Sequence, residues 1–210
     1  MVQKEKGEPK KRGRPRAYDP AMAVARAAET FWKAGYAGTS LDDLSEATGM
    51  NRPSLYAAFG DKRDLYLKTL EYYRNGSRAL AREALADRPP LRVFLKRFYD
   101  KALELYLKGG PRGCYTIGTA ATVAAVDDGV RAFLAASVRT TDGFLKHQIE
   151  KAQERGEIAR DADIEALAYL ASATLHTLAI RSRAGLPRTE LDALADAAIG
   201  VICGRPDRGS

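Results

Sequence analysis

The chain has 210 residues, 45% of them hydrophobic and 29% charged, a balance expected of a water-soluble protein of one to two domains with a real core. No apolar run approaches the ~18–20 residues of a membrane span, and the charged N-terminus lacks the apolar stretch of a secretory signal. Cys114 and Cys203 stand far apart with no CxxC or Cys/His cluster, which argues against a disulfide framework and a zinc site and fits a reduced, cytoplasmic protein without metal or cofactor.

The formal net charge of +7 is unevenly spread. Residues 1–16 carry seven basic groups, Arg12, Arg14 and Arg16 among them, against Glu5 and Glu8. This arm has almost no apolar content, so it is expected to be disordered without a partner, and a polyanion is the natural one. Residues 17–62 hold four basic and six acidic groups. They are set apart as one small domain, and residues 63–210 as a second, helical one.

Residues 54–88 and 112–186 contain no proline and are rich in Ala, Leu, Arg, Glu and Lys, so the fold class is all-α. Pro20 suits the first turn of a helix over residues 20–35. Ser40, with Asp43 three residues on, caps a second helix that stops at Gly49. Asn51 caps a third, over residues 52–59, with Pro53 in its first turn. Asp61 opens a long fourth helix to about residue 86, blocked by Pro89 and Pro90. A fifth covers residues 91–107, a short one lies near 115–125, and Asp127 or Asp128 opens another that ends near Gly156. Asp163 and Thr189 cap the last two, reaching about Ala184 and Ile202.

The second and third helices are short, joined through Gly49, with apolar residues at Leu41, Leu44, Ala47, Met50, Leu55 and Phe59. This is the layout of a helix-turn-helix, whose second helix enters a major groove, although an ordinary corner of a helical bundle has the same spacing. Backbone N–H groups at the starts of the second and fourth helices are candidate donors to a phosphate. Phe31, Gly35–Tyr36, Gly38–Thr39–Ser40, Ala47, Gly49, Ser54–Leu55–Tyr56, Phe59 and Lys62 together resemble the N-terminal signature of TetR-family transcriptional regulators. The chain departs from it at Ser45, at Thr48, at Met50–Asn51 and at Pro53. The resemblance implies phosphate contacts from Thr39 or Ser40, Tyr56 and Lys62, and base-edge or mixed contacts from Arg52, Pro53 and Ser54. Arg52 is the best base reader, because a guanidinium bonds guanine O6 and N7 in a fork. Tyr56 either packs against Phe59 or offers its hydroxyl to a phosphate. The arm's Lys10–Lys11–Arg12–Gly13–Arg14–Pro15–Arg16 resembles an AT-hook, in which arginines lie along an A·T-rich minor groove.

The resemblance further implies a bacterial regulator, nucleoid-associated when bound to a pseudo-palindromic double-stranded DNA operator, that dimerises through its last two helices and is released by a small-molecule effector. The eighth helix of the chain carries Leu167, Leu170, Ala171, Thr174, Leu175 and Leu178 on one stripe, with Tyr169, Ala173, His176 and Ile180 on another side. The last helix carries Leu191, Leu194, Ala195, Ala198 and Ile202. These stripes suit a dimer interface, and equally the packing of one subunit. Phe98, Tyr99, Leu103, Tyr106, Cys114, Tyr115, Ile117, Phe133, His147 and His176 are candidates to line an effector pocket, though each also suits a core. Residues 111–115 resemble a loop-to-helix transition in a subset of these regulators, and Cys114 is a candidate redox switch. Two rival readings are an enzyme, for which His147 and His176 lack any accompanying motif, and an architectural DNA protein relying on the arm.

Overall fold

The computed structural model describes residues 19–204. The basic arm, with Arg12, Arg14 and Arg16, lies outside them. In chain order the helices are α1 (Pro20–Ala34), α2 (Leu41–Thr48), α3 (Arg52–Phe59), α4 (Lys62–Ala84) and α5 (Leu91–Leu107). A π-helical turn (Thr116–Ala120) runs into α6 (Ala121–Val123), followed by α7 (Asp128–Glu154), α8 (Ile164–Arg183) and α9 (Arg188–Ile202). No strand occurs among the described residues.

Local chemistry sets most of the boundaries. Ser40 and Asp43 form a reciprocal capping box, as do Asp61 and Asp64, while Asn51, Asp127 and Asp163 each accept from backbone N–H groups of the helix they open. Two expectations are corrected. The last helix starts at Arg188 after Pro187, which is already in the extended conformation of a cap, so Thr189 falls inside the first turn. The short helix near 115–125 is a π-turn followed by a single α-turn. It is entered through Gly113 (φ +64°), where a Cβ would stand 2.4 Å from the Ala179 carbonyl oxygen; only glycine lets this loop lie against α8.

Two apolar clusters result. One gathers Phe31 and Trp32 of α1, Leu44 of α2, Leu55 and Phe59 of α3, and Leu65, Tyr66 and Leu70 of α4. It does not close at residue 62, because Tyr115, Ala120, Val123, Val130 and Phe133 complete it. The other is built from α5, α7, α8 and α9 around Phe94, Leu95, Tyr99, Leu103, Leu145, Ile149, Leu178 and Ile199. Each such side chain stabilises the fold by about 1.5–3 kcal/mol when fully buried.

Three sets of polar contacts bind the N-terminal helices to the rest. Thr119 donates its hydroxyl proton to the Tyr115 carbonyl (2.8 Å) and Thr69 donates to the Tyr66 carbonyl (2.6 Å). The hydroxyls of Tyr66 and Thr119 meet at 2.7 Å, as do those of Tyr115 and Thr69. Each threonine has one proton and has already given it to a carbonyl, so each tyrosine is the donor. The result is a closed, buried ring of hydrogen bonds between α4 and the π-turn. Burial pushes the Tyr66 phenol up to about 12 and the Tyr115 phenol higher still, so both keep the proton they donate. Secondly, Arg112 stacks 4.0 Å over the Trp32 ring and pairs with Glu29 at 2.6 Å, and its carbonyl accepts from Trp32 Nε1 at 3.3 Å. Thirdly, Arg63 at the start of α4 forks onto Asp127, the cap of α7, with Nη2 to Oδ1 at 3.0 Å.

The Arg63 guanidinium and the α7 N-terminus lower the Asp127 pKa to about 2. A carboxylate so depressed contributes stability that is full above its unfolded pKa of about 4 and is lost as the pH falls through the folded value. Asp127→Asn keeps an oxygen for the Val130 N–H but loses the charge. The variant is expected to melt below wild type by a steady margin between about pH 7 and pH 5, a margin that closes as the pH drops toward 2. A margin that stays constant through the acid range in thermal melts would show that the ion pair contributes nothing.

Candidate functional site

The turn between α2 and α3 rests on Gly49 in the left-handed conformation and on Thr48, whose hydroxyl donates to the Leu44 carbonyl at 2.6 Å. With Leu44, Met50, Leu55 and Phe59 buried beneath, α3 presents Arg52, Pro53, Tyr56 and Ala57 to solvent. Tyr56 is 48% exposed, and its hydroxyl has no hydrogen-bond partner among the described residues. Ser54 is half-buried. The Arg52 guanidinium grips Asp42 of α2 in a fork, Nε to Oδ1 at 2.9 Å and Nη2 to Oδ2 at 2.6 Å. Nothing in the sequence pattern marks Asp42 for this contact. An exposed pair of this kind is worth about 0–1 kcal/mol, against about 1–3 kcal/mol of discrimination for a forked guanine contact, so a correctly placed base outcompetes Asp42.

Thr39 is corrected. It is 1% exposed and its hydroxyl donates to the Gly35 carbonyl at 2.7 Å, so it shapes the turn after α1 and has no surface to offer a phosphate. Ser40 is exposed, but its backbone N–H and its hydroxyl both bond Asp43 at 2.7 Å. A phosphate at this helix start would therefore be met by the N–H groups that follow it. Lys62 lies 4.4 Å over the Tyr36 ring, itself packed on Tyr66 at 4.9 Å. Partial burial lowers the Lys62 pKa, opposed by Asp43. Lysine and tyrosine, far apart in the sequence signature, thus clamp the start of α4 onto the turn after α1.

Behind this surface a cavity of about 300 Å³ opens between α4, α5, the π-turn, α7 and α8. Of the pocket candidates, Phe98, Tyr106, Cys114, Ile117 and His176 line it. Tyr99 and Leu103 are wholly buried in the second cluster, Tyr99 donating to the Ala171 carbonyl at 3.0 Å. Tyr115 faces Thr69 on the opposite side of the π-turn, and Phe133 packs in the first cluster with the Arg74 guanidinium 4.9 Å above its ring. His147 is exposed, 3.9 Å from Glu150. The wall that the sequence did not reveal is α4, which contributes Tyr73, Arg74, Ser77, Arg78 and Arg82. The Tyr73 hydroxyl donates to Cys114 Sγ at 3.6 Å, and burial pushes the Cys114 thiol pKa up, a setting that opposes the thiolate a redox switch needs. Desolvation holds the His176 pKa below its usual value, with Asp142 acting the other way. No group of three or more His, Cys, Asp or Glu side chains suited to a metal occurs among the described residues.

Residues 23–69 match the family described as bacterial regulatory proteins, tetR family, and residues 91–198 match the tetracyclin repressor-like C-terminal domain. The chain belongs to the tetR family. It is a helix-turn-helix transcriptional regulator. It is 29% identical over 188 residues to the Escherichia coli HTH-type transcriptional repressor ComR, covering 89% of this chain and 90% of that one. To the Bacillus subtilis HTH-type transcriptional regulator YezE it is 27% identical over 192 residues, covering 90% and 99%. Among solved structures, a cysteine mutant of the TetR-family regulator CifR, complexed with 26-base-pair operator DNA, superposes with a TM-score of 0.83 at 30% identity, covering 92% of this chain and all of that one.

The expected dimer residues divide. Ala171, Thr174, Leu178, Leu191, Ala195 and Ile202 are buried within the chain, and Leu175 lines the cavity, so none of these faces outward. Leu167, Leu194 and Ala198 are half-buried, and Leu170 alone of the set is classed as exposed. The outward apolar face is the other side of α8, with Tyr169, Ala173 and Ile180, continued on α9 by Ala193, Ala197 and Val201. Ile180 is 61% and Val201 67% exposed.

The Arg52–Asp42 fork makes opposite predictions for its two ends. Arg52→Ala is expected to cost ~1–3 kcal/mol on the best operator while leaving random DNA nearly unaffected. Asp42→Ala is expected to tighten binding to any DNA, because a carboxylate beside the phosphates is gone. Fluorescence anisotropy with specific and random duplexes reads both; equal losses on the two duplexes for Arg52→Ala would make it a phosphate contact only.

Proposed function

We propose that the chain is a homodimeric repressor that reads a pseudo-palindromic operator with α3 and releases it when a small molecule enters the cavity. The observation that carries this reading is the course of α4, one helix that opens at Lys62 against the turn after α1, within the cluster that holds α2 and α3, and lines the cavity at Arg74–Arg82. A ligand that shifts α4 changes the separation of two recognition helices, and a dimer matched to one groove spacing then loses a half-site. Arg52, Pro53 and Ser54 serve the base edges and Tyr56 and Lys62 the phosphates. Arg12, Arg14 and Arg16 serve the minor groove, a role that rests on the sequence of the arm alone. Among the described residues no helix is long and apolar enough to cross a membrane, which fits work on the nucleoid in the cytoplasm. The relatives are regulators, and the two histidines stand on different surfaces, so neither rival reading gains support.

The outward faces of α8 and α9 are the proposed dimer seam. The spacing of Tyr169, Ala173 and Ile180 on one helix, and of Ala193, Ala197 and Val201 on the other, gives each a continuous apolar stripe. Two such pairs form a four-helix interface that sets half-sites about 34–36 Å apart, or a multiple of it. Ile180→Glu with Val201→Glu is expected to give a folded monomer that has lost specific DNA binding, read by sedimentation and by footprinting on a selected operator. A dimer that persists with its footprint intact would remove the seam from this face.

A further inference from the structure

The cavity's charge is one-sided. Arg74, Arg78 and Arg82 follow one another at every fourth residue of α4, and all three line the cavity. Successive ones are therefore about 6 Å apart along the helix, and no Asp or Glu is among the described residues lining it. Arg74 is partly engaged, bonding Glu71, yet its Nε is buried with no partner. Arg78 and Arg82 make no side-chain hydrogen bond or ion pair among the described residues. Facing them, the hydroxyl protons of Ser137, Thr140 and Thr141 are all given to carbonyls of their own helix, and the guanidiniums are the charged donors of the lining, beside the neutral donors Ser77, Thr116 and His176. The far wall is apolar, with Phe98 and Phe144 tilted against each other at 6.0 Å and Leu134 lining the cavity about 15 Å further along α7.

We propose that the cavity takes a small organic anion, a carboxylate, sulfonate or similar acidic head on an apolar body, with Arg78 and Arg82 holding the head and Phe98 and Phe144 the body. This assignment rests on the reading of the cavity as the effector site, and it names the chemical class of the effector. Arg78 and Arg82 are exposed at the rim of the apolar cavity, where an anion gains charge-assisted hydrogen bonds that a neutral ligand does not. The volume stands at the low end of ligand sites, about 300–1,000 Å³, so the body is of up to about three rings or a medium chain.

The test uses two dyes that share a two-ring body with an anilino group and differ in the acid, 1-anilinonaphthalene-8-sulfonate and N-phenyl-1-naphthylamine. Trp32, the single tryptophan of the chain, sits 5.1 Å from the ring of Tyr73, which lines the cavity, so energy transfer from it reports on a dye bound there. The wild-type dimer is expected to bind the sulfonate about tenfold or more tighter than the neutral dye. Arg78→Gln with Arg82→Gln should abolish that preference and leave the neutral dye within about twofold of wild type, while Ala102→Trp, which fills the cavity, should exclude both. Equal affinities in the wild type, or a sulfonate preference that survives the double substitution, would overturn the proposal. So would undiminished dye binding in a folded Ala102→Trp variant, since the site would then lie elsewhere. Operator binding without dye is measured alongside. A chain that selects the anion but no DNA sequence overturns the regulator reading alone, and one that binds its operator but shows no anion preference overturns the ligand class alone.

Discussion

Tyr66 and Thr119, Tyr115 and Thr69 form a ring in which each tyrosine donates to the other element's threonine and each threonine to the other tyrosine's carbonyl. All four side chains are buried, so no water replaces a bond that opens, and an unpaired member costs about 1–3 kcal/mol. The ring therefore ties α4 to the π-turn in one register. The rest of the functional architecture hangs from this tie. On one side of the π-turn lies the aromatic packing of Trp32, Tyr73 and Tyr115 beneath the DNA-facing helices. On the other, Thr116 and Ile117 line the cavity. π-Turns are locally less favourable than α-helix and recur at functional sites, which fits a short element loaded from both sides.

Charge at the DNA-facing surface follows from the same economy of contacts. Residues 17–62 are acidic on balance: Asp19, Asp43 and Asp61 serve helix starts, Asp42 engages Arg52 and Glu29 engages Arg112. On the proposed reading, non-specific attraction to phosphate falls to the arm and to the cations that remain, and the HTH unit discriminates. Asp42 has a double consequence in this arrangement: it holds the Arg52 fork extended in the free protein and resists any DNA that offers nothing better in exchange. Weak exposed pairs suit this role because they yield to a specific partner at little cost.

Features fixed by short-range chemistry were legible in the sequence. The caps at Ser40, Asn51, Asp61 and Asp163, the stop at Gly49 and the proline breaks depend on neighbours three or four residues away, and they fall where the pattern puts them. Side-chain direction was not legible where both faces of a helix are apolar. On α8 the stripe of Ala171, Thr174 and Leu178 and the stripe of Tyr169, Ala173 and Ile180 have similar chemistry; only packing against α5, α7 and α9 decides which is core and which is left outward. Thr39 carried a surface role by motif but is drawn inward by the Gly35 carbonyl. The three arginines of α4 repeat every fourth residue, which on a sequence is the mark of a solvated face; Arg78 and Arg82 do stay exposed, and the docking of α5 on α4 sets that face at the mouth of a cavity. The pocket aromatics divided in the same way, with Tyr115 on the far side of a turn whose π geometry no periodicity announced.

The cavity and the DNA-facing helices are proposed to be coupled through the α4–π-turn ring, and linkage measures this directly. The affinity of 1-anilinonaphthalene-8-sulfonate is determined for the free dimer and for the dimer saturated with a selected operator, in wild type and in Tyr66→Phe/Tyr115→Phe. Reciprocity requires the ratio of those affinities to equal the factor by which the dye weakens operator binding, and coupling of ~1–3 kcal/mol makes it about 5- to 150-fold in wild type. The account predicts that the ratio falls toward one in the double variant while each ligand alone still binds as before. A ratio that keeps its wild-type value without the two hydroxyls would contradict it.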